Sequence, residues 1–593
     1  MTGARRTTAA LVLAAFISLL CVSASGAEQT RRIPFRAVWV PTVYNLDYPS
    51  RATTDPEALK READEILQKC VQMGMTAVIL QVRPSCDALY PSKLFPWSRY
   101  LTGTAGTAPS GGFDPLDYWV TQAHRLGLEL HAWLNPFRVT TSEYDRLPAD
   151  SPAAQHPDWV VKYNGGSYLN PGLPEVRELV VQGAEELLRS YPLDGIHLDD
   201  YFYPGSDFDD AEAYAAYGGG FRTIGDWRRN NINLLIQSLD RRLHAIDPEL
   251  SFGVSPSGVW ADRSSQPEGS PTTGGYESYY AAYADSRKWV KEGWVDYICP
   301  QIYWYIGHPS MDYAAIARWW ADTVKGTDVA LYIGMADYQA GKSDPSDPWY
   351  GTKAIRGQLD LNRTLPQVAG EVHFRYSYLV KSQELFTLYR RTYLSEESRP
   401  SLAGKQAYVE GSGGLFRPEA PLSRGEAAAL LARLSTDASG RPIYTGTEAA
   451  PFFPDVPAAA WYAPYISFVT RWGIANGYLD GTFRPEASIS RSELLKLLCA
   501  YFDPESVSAA PFSDIPQGHW AAEIIAWAAE QGWISGYPDG TFRPEQTVSR
   551  AEAVKMINRA LGRADAMGTQ SPFPDVPLSH WACGAIRAAT SPS

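Results

Sequence analysis

Residues Leu193 to Pro204 read Leu-Asp-Gly-Ile-His-Leu-Asp-Asp-Tyr-Phe-Tyr-Pro, an apolar half-strand followed by two carboxylates, three aromatic residues and a proline. Apolar and polar positions alternate from Ile196 to Asp200, which predicts the end of a β-strand, and the proline ends regular structure. Paired acids where a strand gives way to a loop suit glycoside hydrolysis or metal chemistry. An isolated Asp-Asp pair is more often a solvated turn, so the rest of the chain has to decide between these readings.

Seven more β-rich runs alternate with helical patterns on either side of this stretch. The predicted strands cover residues 36–40, 76–82, 128–135, 195–199, 250–255, 295–303, 329–335 and 371–376. The predicted helices cover residues 56–73, 115–126, 174–190, 227–246, 276–292, 311–324, 354–361 and 382–393, several with Asp, Ser or Asn caps. Eight strand–helix units predict an α/β fold whose parallel sheet closes into a (β/α)8 TIM-type barrel.

Two other α/β arrangements have little support. An open doubly wound sheet is the alternative, but no Gly-x-Gly-x-x-Gly follows the first strand. Ser257 lies in Ser-Pro-Ser-Gly rather than in a nucleophile elbow, which argues against a Ser-His-Asp hydrolase.

A closed barrel of this type carries its active site at the C-terminal ends of its strands. Amides, hydroxyls and arginines there can hydrogen-bond sugar hydroxyls, and tyrosine and tryptophan rings can stack on sugar faces. The sequence therefore predicts a carbohydrate cleft on this rim. The candidate substrate-binding residues are Asn45, Arg83, Asp87, His131, Asn135, Arg138, His197, Tyr201, Tyr203, Gln301, Tyr303 and Trp304, and the rim also includes Ser255, Ser257, Tyr338, Tyr376 and Tyr378.

A glycosidase normally uses two carboxyl groups, about 5–5.5 Å apart in retaining enzymes and about 6.5–9.5 Å apart in inverting ones. Asp199 and Asp200 are successive on an extended chain, so their side chains point to opposite sides and cannot face each other across one bond. We expect Asp199 to face the cleft as the catalytic acid, because His197 lies on the same face of the strand and could tune it. We expect Asp200 to orient Asp199 or to bind an arginine. Asp337, after the seventh strand, is the predicted partner acid, and Asp87 is the other option.

The alternative for His197 is a hydrogen-bonded core histidine, which is equally compatible with the sequence. No metal or cofactor is predicted, because His124 and His131 are too far apart for a single-turn ligand pair and no His-Glu-x-x-His motif occurs.

Seven stretches between residues 33 and 393 resemble the glycosyl hydrolase-like 10 family. They are F-R-A-V-W-V-P-T-V-Y-N-L-D-Y-P, Q-V-R-P-S-C-D-A-L-Y, L-H-A-W-L-N-P-F-R, D-G-I-H-L-D-D-Y-F-Y-P, D-W-R-R-N-N-I-N, S-P-S-G-V-W and D-Y-I-C-P-Q-I-Y-W. The resemblance implies a glycosidase-type barrel and, for characterised relatives, action on peptidoglycan glycan strands that lack stem peptides. Cys86 and Pro41 depart from the family pattern, where Gly and Ala are usual.

The run D-G-I-H-L-D-D-Y is also loosely similar to the D-G-x-D-x-D-x-E segment of family 18 chitinases. Those enzymes use the N-acetyl group of the substrate as nucleophile, and peptidoglycan sugars carry that group. His197 and Tyr201 depart from the chitinase pattern, so this similarity assigns no acid.

The N-terminus has the layout of a secretory signal peptide over residues 1–27. Two arginines precede an apolar run at residues 9–22 and then small residues, with cleavage after Ala27 or Ala24. Cys21 allows a lipoprotein reading, although Leu20 before it is bulkier than a lipobox normally has. The apolar run is shorter than the roughly 20 residues of a bilayer span. We expect a secreted protein with no transmembrane segment after signal removal.

Composition excludes some classes of partner and some kinds of stabilisation. The net charge of -13 argues against nucleic acid, whose phosphates call for clustered Lys and Arg. Of the 6 cysteines, those beyond Cys21 are odd in number and show no Cys-x-x-Cys pair, so neither a disulfide framework nor structural zinc is predicted.

The last third of the chain consists of self-similar blocks. The run G-Y-L-D-G-T-F-R-P-E-A-S-I-S-R-S-E at Gly477 recurs as G-Y-P-D-G-T-F-R-P-E-Q-T-V-S-R-A-E at Gly536, and a half-copy begins at Leu415. A fixed period predicts repeated supersecondary units that share a core. Each copy has Asp-Gly for a tight turn and then Ser-Arg-x-Glu, which predicts a capping box at the start of a helix.

These blocks resemble S-layer homology (SLH) repeats. The resemblance implies a mainly α-helical module that binds a secondary cell-wall polysaccharide, often pyruvylated and anionic, and a location at the cell wall or S-layer. An arginine at a helix N-terminus suits an anionic ketal, whereas the alternative is a solvated first-turn arginine. The family positions in this chain are Arg424, Asp455, Trp461, Gly477, Arg491, Asp514, Trp520, Gly536, Arg550, Asp575 and Trp581.

The chain is therefore predicted to have a signal peptide (1–27), a barrel (33–393), a linker (394–406) and an SLH module (407–593). Within the module, half-copies at 407–434 and 573–593 flank full copies at about 452–500 and 512–560. The complementary halves predict that the two ends meet and close a pseudo-threefold unit.

The leading functional hypothesis is a secreted glycoside hydrolase that acts on peptidoglycan glycan strands or a related wall glycan and is anchored by the SLH repeats. The alternatives are a non-catalytic glycan-binding or scaffold protein of the cell envelope and a hydrolase of another extracellular polysaccharide. A second carboxyl group facing Asp199 would favour the enzyme.

Overall fold

The computed structural model describes residues 34–143, 145–396, 400–402, 406–437, 440–446, 453–475, 477–478, 482–502, 510–516 and 518–590. The predicted signal peptide lies outside the described residues, as do residues 397–399 and 403–405 of the predicted linker. No helix in the described ranges has the length and apolar character needed to cross a membrane.

Eight parallel strands close into a barrel, as the sequence predicts. They are β1 (Phe35–Val40), β2 (Ala77–Arg83), β3 (Glu129–Leu134), β4 (Gly195–Leu198), β5 (Ser251–Val254), β6 (Tyr297–Ile298), β7 (Ala330–Met335) and β8 (Val368–His373). Neighbours in sequence are neighbours in the sheet, and β8 pairs with β1 through Phe35 opposite Gly370 to close it. All eight C-terminal strand ends therefore meet at one rim.

Side chains on the strands alternate between two cores. Phe35, Ala37 and Trp39 point into the barrel, whereas Val38 and Val40 pack against the surrounding helices. Gly195 is required at the start of β4, because a Cβ atom there would lie 2.3 Å from Nδ1 of His131 inside the barrel.

A main helix follows each strand, and several begin as their sequences predict. Asp114 caps the helix that starts at Pro115 by accepting hydrogen bonds from the backbone N–H groups of Leu116 and Asp117. The main helices are α1 (Pro56–Gln72), α2 (Pro115–Arg125), α3 (Pro174–Ser190), α4 (Ile224–His244), α5 (Ser286–Glu292), α6 (Tyr313–Val324), α7 (Lys353–Arg363) and α8 (Gln383–Glu396). Short helical turns lie at Val43–Asn45, Arg99–Thr102, Ser110–Gly112, Pro152–Gln155, Pro157–Trp159, Ala211–Tyr217, Ser278–Ala281, Asp337–Gln339 and Tyr376–Lys381.

Three local differences from the predicted elements matter for the cleft. β6 ends at Ile298 rather than near residue 303, because Pro300 cannot donate a ladder hydrogen bond. The predicted helix at 276–292 is split into two. A three-stranded antiparallel sheet (Arg138–Thr140, Val160–Tyr163 and Gly166–Leu169) that the sequence analysis did not predict rises above β3.

The C-terminal part is helical with a separate hydrophobic core. Its helices are α9 (Arg424–Leu434), α10 (Ala463–Arg471), α11 (Arg491–Cys499), α12 (Ala522–Glu530), α13 (Arg550–Ala560) and α14 (Cys583–Thr590), and a two-stranded sheet joins Ser401–Leu402 to Ser435–Thr436. The predicted capping boxes are confirmed at the starts of α9, α11 and α13.

Three backbone hydrogen bonds show how the repeats close. The N–H of Leu422 donates to Val548, that of Val548 to Ile489, and that of Ile489 back to Leu422, at 2.9 to 3.1 Å. The segments before the three capping boxes therefore form a ring. The two ends of the module also meet, because Asp575 accepts the N–H groups of Phe416 and Arg417 and the N–H of Tyr408 donates to the carbonyl of Ala589.

Candidate active site

The C-terminal rim of the barrel carries a cleft of about 720 Å³. Aromatic side chains dominate its walls, and a few amides and hydroxyls and one carboxyl group lie among them. The lining residues are Tyr163, Asn164, Tyr168, Asp200, Tyr201, Tyr203, Pro204, Ser257, Tyr276, Gln301, Tyr303, Trp304, Tyr305, His308, Tyr338, Gln339 and Trp349. Flat rings with interspersed hydrogen-bonding groups match the faces and hydroxyls of a sugar chain.

Asp200 contributes that carboxyl group. Burial raises its pKa to about 7, and the neighbouring carboxylate of Asp199 adds to the shift. A hydrogen bond from Gln301 opposes the rise, and the Gln301 side chain also donates from Nε2 to the carbonyl of Ser255 at 2.8 Å. A carboxyl group with this pKa holds a proton near neutral pH and can give it to a leaving group.

Asp199 lies below the cleft and is almost fully buried. Its oxygens accept hydrogen bonds from Trp133 Nε1 and Asn135 Nδ2, each at 3.1 Å, and from the backbone N–H of Tyr201 at 3.2 Å. Burial raises the pKa of Asp199, whereas the charge of Arg138 and these donors lower it. The two acids thus point apart, as predicted, but Asp200 rather than Asp199 faces the cleft.

Asp337 does not reach the cleft. It is buried against the Nδ1 atom of His373 at 3.1 Å and the hydroxyl of Tyr389, and His373 Nε2 hydrogen-bonds the hydroxyl of Tyr393 at 2.7 Å. This cluster ties α8 to the ends of β7 and β8. Asp337 therefore lies outside the lining of the cleft, in a buried cluster that joins these elements.

His131 and His197 lie in the barrel interior rather than in the cleft. Trp39 Nε1 donates to His197 Nε2 at 3.2 Å, so the proton of His197 sits on Nδ1, which contacts the hydroxyl of Tyr297 at 3.0 Å. Tyr297 in turn contacts His131 Nδ1 at 3.1 Å. Burial lowers the pKa of His197 well below its usual value, which favours the neutral imidazole, and the side chain does not line the cleft.

Two further predicted ligands serve the fold instead. Asn45 donates from Nδ2 to the carbonyls of Pro49 and Tyr100, which holds the loop after β1. The guanidinium of Arg83 is buried 3.6 Å above the ring of Phe95. Neither side chain lines the cleft.

Three further predicted residues do not line the cleft. Asn135 joins the loop after β3 to Asp199 through Nδ2 and accepts the backbone N–H of Arg138 at 3.0 Å. Arg138 lies 4.8 Å above the ring of Tyr201. Asp87 accepts the N–H of Ser85 at 3.0 Å, and burial raises its pKa to about 6.

Five of the predicted substrate-binding residues line the cleft at the C-terminal strand ends, as expected. They are Tyr201, Tyr203, Gln301, Tyr303 and Trp304. The lining residues that were not predicted lie in the segments that connect the barrel strands, including Tyr163, Asn164 and Tyr168 of the antiparallel sheet. The dipeptide Asn164-Gly165 between β-forming runs was a hairpin signal that could have revealed that sheet.

The profile of one family, described as glycosyl hydrolase-like 10, matches residues 34–352, which include the whole of the cleft. The chain belongs to the glycosyl hydrolase-like 10 family. It is similar to the glycosyl hydrolase YngK of Bacillus subtilis (strain 168), with 43% identity over 355 residues, 58% of this chain and 69% of that protein. It is also similar to the glycosyl hydrolase DigH of Escherichia coli (strain K12), with 40% identity over 378 residues, 59% of this chain and 84% of that protein.

Beyond the family domain, the predicted wall-binding arginines link adjacent repeats. Arg491 Nε donates to the carbonyl of Phe542 at 2.9 Å, and its Nη1 pairs with Glu552 at 2.9 Å. Arg424 and Arg550 make the same two contacts in the other repeats, with Phe483 and Glu493 and with Phe416 and Glu426. These arginines are neither solvated nor free, so a ligand would meet an arginine–glutamate pair.

The predicted aspartates hold the tight turns. Asp514 accepts the N–H groups of Phe542 and Arg543, at 2.8 and 2.6 Å, where Arg543 has a φ of 59°. Asp455 does the same for Phe483 and Arg484, and Asp575 in the trailing half-copy does it for Phe416 and Arg417 in the leading one. Gly477 and Gly536 lie against phenylalanine rings that a Cβ atom would strike at 2.3 and 2.5 Å. The aspartates and glycines therefore serve the fold.

The predicted tryptophans remain available to a ligand. Trp461, Trp520 and Trp581 are 58%, 53% and 53% exposed. Trp461 lines a groove of about 440 Å³ together with Arg550 and with Tyr408, Ser412, Arg433 and other residues of the leading half-copy.

The S-layer homology domain family matches residues 452–495 and 511–554. Over 177 residues, 29% of this chain, the module is 37% identical to the cellulosome-anchoring protein of Acetivibrio thermocellus (strain ATCC 27405), of which it covers 38%.

Proposed function

We propose that this protein is a glycoside hydrolase of cell-wall glycan, with peptidoglycan strands that lack stem peptides as its substrate, and that the SLH module holds it at the wall. The single observation that carries the proposal is Asp200, a carboxyl group with a pKa of about 7 that faces an aromatic cleft on the barrel rim. The membership of the barrel in a glycosyl hydrolase-like family and the names of its relatives support the same reaction class.

Asp200 is the proposed general acid. At neutral pH about half of such groups carry a proton, and the proton goes to the glycosidic oxygen as the bond to the anomeric carbon breaks. Asp199, fixed by Trp133 and Asn135, keeps a carboxylate next to Asp200 and so raises its pKa. Asp199 is thus a positioning residue in this scheme.

The second reacting group is proposed to come from the substrate. Among the residues that line the cleft in the described part of the chain, Asp200 alone carries a carboxyl group. The 2-acetamido groups of peptidoglycan sugars can attack the anomeric carbon from within the substrate, which is the route of substrate-assisted glycosidases. Tyr303 can support this step as a donor, since burial raises the pKa of its phenol well above the usual value.

The SLH module is the proposed anchor. The exposed Trp461, Trp520 and Trp581 offer stacking faces, and the groove beside Trp461 contains the Arg550–Glu426 pair. A secondary wall polysaccharide with an anionic ketal could displace the glutamate from this arginine. The similarity to a cellulosome-anchoring protein supports a surface location.

The test incubates the full chain with purified denuded glycan strands, intact sacculi, chitin oligomers and a matched glycan without acetamido groups. We expect new reducing ends from the first and third of these, and none from the glycan without acetamido groups. Asp200→Asn should lose at least about a thousandfold in kcat, whereas Asp360→Asn on the exposed face of α7 should match the wild type. Full activity of Asp200→Asn would remove this carboxyl group from the mechanism.

The second candidate is a non-catalytic glycan-binding protein, and the single carboxyl group in the cleft is the observation that favours it. It predicts binding of strands without any product. Retention on chitin or denuded strands with no new reducing ends, at any pH from 5 to 9, would select this reading over the hydrolase.

A further inference from the structure

A row of exposed side chains continues beyond the cleft along the rim above β8 and β1. Tyr44, Leu46 and Tyr378 are 61%, 39% and 38% exposed, although each is large and apolar for the most part. None of them lines the cleft, whose walls come from the loops after β3 to β7. We call Tyr44, Leu46 and Tyr378 the rim shelf.

The shelf is continuous with the cleft through aromatic contacts. Tyr303 and Tyr338, both in the cleft, have ring centroids 5.8 Å apart, and Tyr378 follows 6.1 Å beyond Tyr338. The guanidinium of Arg375 lies 4.8 Å above the Tyr378 ring and donates to the carbonyl of Leu46 at 2.9 Å. A polymer that leaves the cleft over Tyr338 would therefore meet the shelf next.

The shelf carries no unpaired charge that would select an ionic ligand. Arg375, the cation that contacts the Tyr378 ring, is bound to the buried carboxylate of Asp47 and to the hydroxyl of Ser377. The side chains that face solvent are two tyrosine rings and a leucine. Such a surface fits the faces of neutral pyranose rings, which stack on the aromatic rings.

Tyr44 is held outward in a conformation that its own backbone does not favour. Its φ is 58° and that of Asn45 is 52°, a region that bulky residues rarely adopt. Hydrogen bonds on both sides fix the loop: Gln81 accepts the N–H groups of Thr42 and Val43 at 3.0 Å, and Asn45 binds two carbonyls. The surrounding structure thus maintains an exposed aromatic ring where a small residue would be easier to place.

We propose that the rim shelf is a further set of sugar subsites, which takes the portion of a glycan strand that extends past the cleft. The inference rests on the proposed function, because it assumes that the strand in the cleft is a glycan. It assigns the protein to polymeric substrates, with the strand lying across the mouth of the barrel from the antiparallel sheet to β1.

The test compares long denuded strands or long chitin oligomers with chitin di- and trisaccharides, all free of secondary wall polymer so that the SLH module contributes nothing. The variants are Tyr44→Asn, since asparagine tolerates a positive φ, and Tyr378→Ala. Tyr44→Phe and Tyr378→Phe keep the rings, and Leu234→Ala on the exposed face of α4 is the matched control.

Each ring removal should raise KM for long substrates roughly three- to tenfold, with kcat and all values for the short substrates unchanged within about twofold. The phenylalanine variants and Leu234→Ala should stay within about twofold of the wild type for both lengths. An equal rise in KM for long and short substrates, or no rise for long ones, would contradict the proposal that the rim shelf binds sugar rings.

A separate arm covers the case in which no glycan is cleaved and the proposed function fails. Retention of the wild type on insoluble chitin and its loss in Tyr44→Asn and Tyr378→Ala would sustain the shelf as a binding surface. Unchanged retention in the variants, or no retention of the wild type, would overturn it.

Discussion

The same change at two adjacent acids, Asp199→Asn and Asp200→Asn, should move stability in opposite directions. Asp200 has its pKa raised from 3.8 to about 7, mainly by burial. Its proton is therefore bound more tightly in the folded barrel than in the unfolded chain. That contribution to stability is fully present below about pH 4 and is lost as the pH rises through about 7.

The size of the effect follows from the shift. A rise of about three in the pKa of Asp200 corresponds to about 4 kcal/mol in the free energy of unfolding, at 1.36 kcal/mol per pKa unit. Above pH 8 this whole amount opposes folding, because the carboxyl group is then ionised in the folded barrel. Asp200 keeps some contact with solvent in the cleft, and screening there reduces the figure. Asp200→Asn should therefore stabilise the barrel by about 1–3 kcal/mol at pH 8 and by almost nothing at pH 4, while it abolishes hydrolysis.

Asp199→Asn should do the reverse, because the hydrogen bonds that it loses outweigh the relief of a carboxylate whose pKa burial also raises. The carboxylate accepts from Trp133, Asn135 and the Tyr201 backbone, and an asparagine has only one acceptor oxygen. Its amide nitrogen would face a donor, which leaves buried groups unsatisfied. We expect a loss of about 1–3 kcal/mol at neutral pH.

Urea unfolding followed by tryptophan fluorescence and by circular dichroism, at pH 4.5, 6, 7 and 8.5, measures both differences in the full chain. The Asp200→Asn advantage should grow through pH 7, and Asp360→Asn should stay level with the wild type. An Asp200→Asn variant that is destabilised at pH 8.5, or whose effect does not change with pH, would refute the assignment of Asp200 as a carboxyl group with a strongly raised pKa.

Hydrolysis of soluble oligomers should fall tenfold per pH unit above about 7, because Asp200 must carry its proton, and a flat profile to pH 9 would exclude it as the acid. Arg491→Ala should lower the stability of the SLH module by about 1–3 kcal/mol in thermal unfolding, since Glu552 loses its ion-pair partner and the carbonyl of Phe542 loses its donor. Arg471→Ala, at an exposed position of α10, should leave the melting temperature unchanged. Equal melting temperatures for the Arg491→Ala and Arg471→Ala variants would contradict the role of Arg491 in joining adjacent repeats. Trp520→Ala should lower the affinity for cell walls about tenfold in a sedimentation assay, without a change in melting temperature, because the ring is exposed. A loss of stability that accompanies the loss of wall binding would indicate that Trp520 supports the fold rather than the ligand.

Local sequence signals were sufficient for the fold. The apolar runs are long enough to be buried on both faces, and Asp114 before Pro115 marks a helix start that needs no tertiary information. The capping box at Ser549 is equally local. The antiparallel sheet and the end of β6 were missed because short, half-exposed strands and a proline break depend on what packs against them.

The SLH arginines show why residue roles were harder to predict than residue positions. Arg491 occupies the helix start that the repeat predicts, yet its guanidinium is taken by Glu552 of the next repeat. That glutamate is itself the predicted capping-box residue, so one side chain satisfies its own helix and the neighbouring arginine together. The equivalent pair of Arg550 with Glu426 forms only where the last full copy meets the leading half-copy, and that closure is a long-range property.

The order of the two central acids is the clearest case of what a strand pattern leaves open. Alternation correctly separates Asp199 from Asp200, because successive residues of a strand point to opposite faces. It does not say which face belongs to the cleft, since β4 ends at Leu198 and the chain then turns. Trp133 of β3 and Asn135 of the loop after it donate hydrogen bonds to Asp199 and hold its side chain below the cleft. The side chain of the next residue, Asp200, then faces the cleft. Partners that come from another strand therefore decide which carboxyl group can act as the acid.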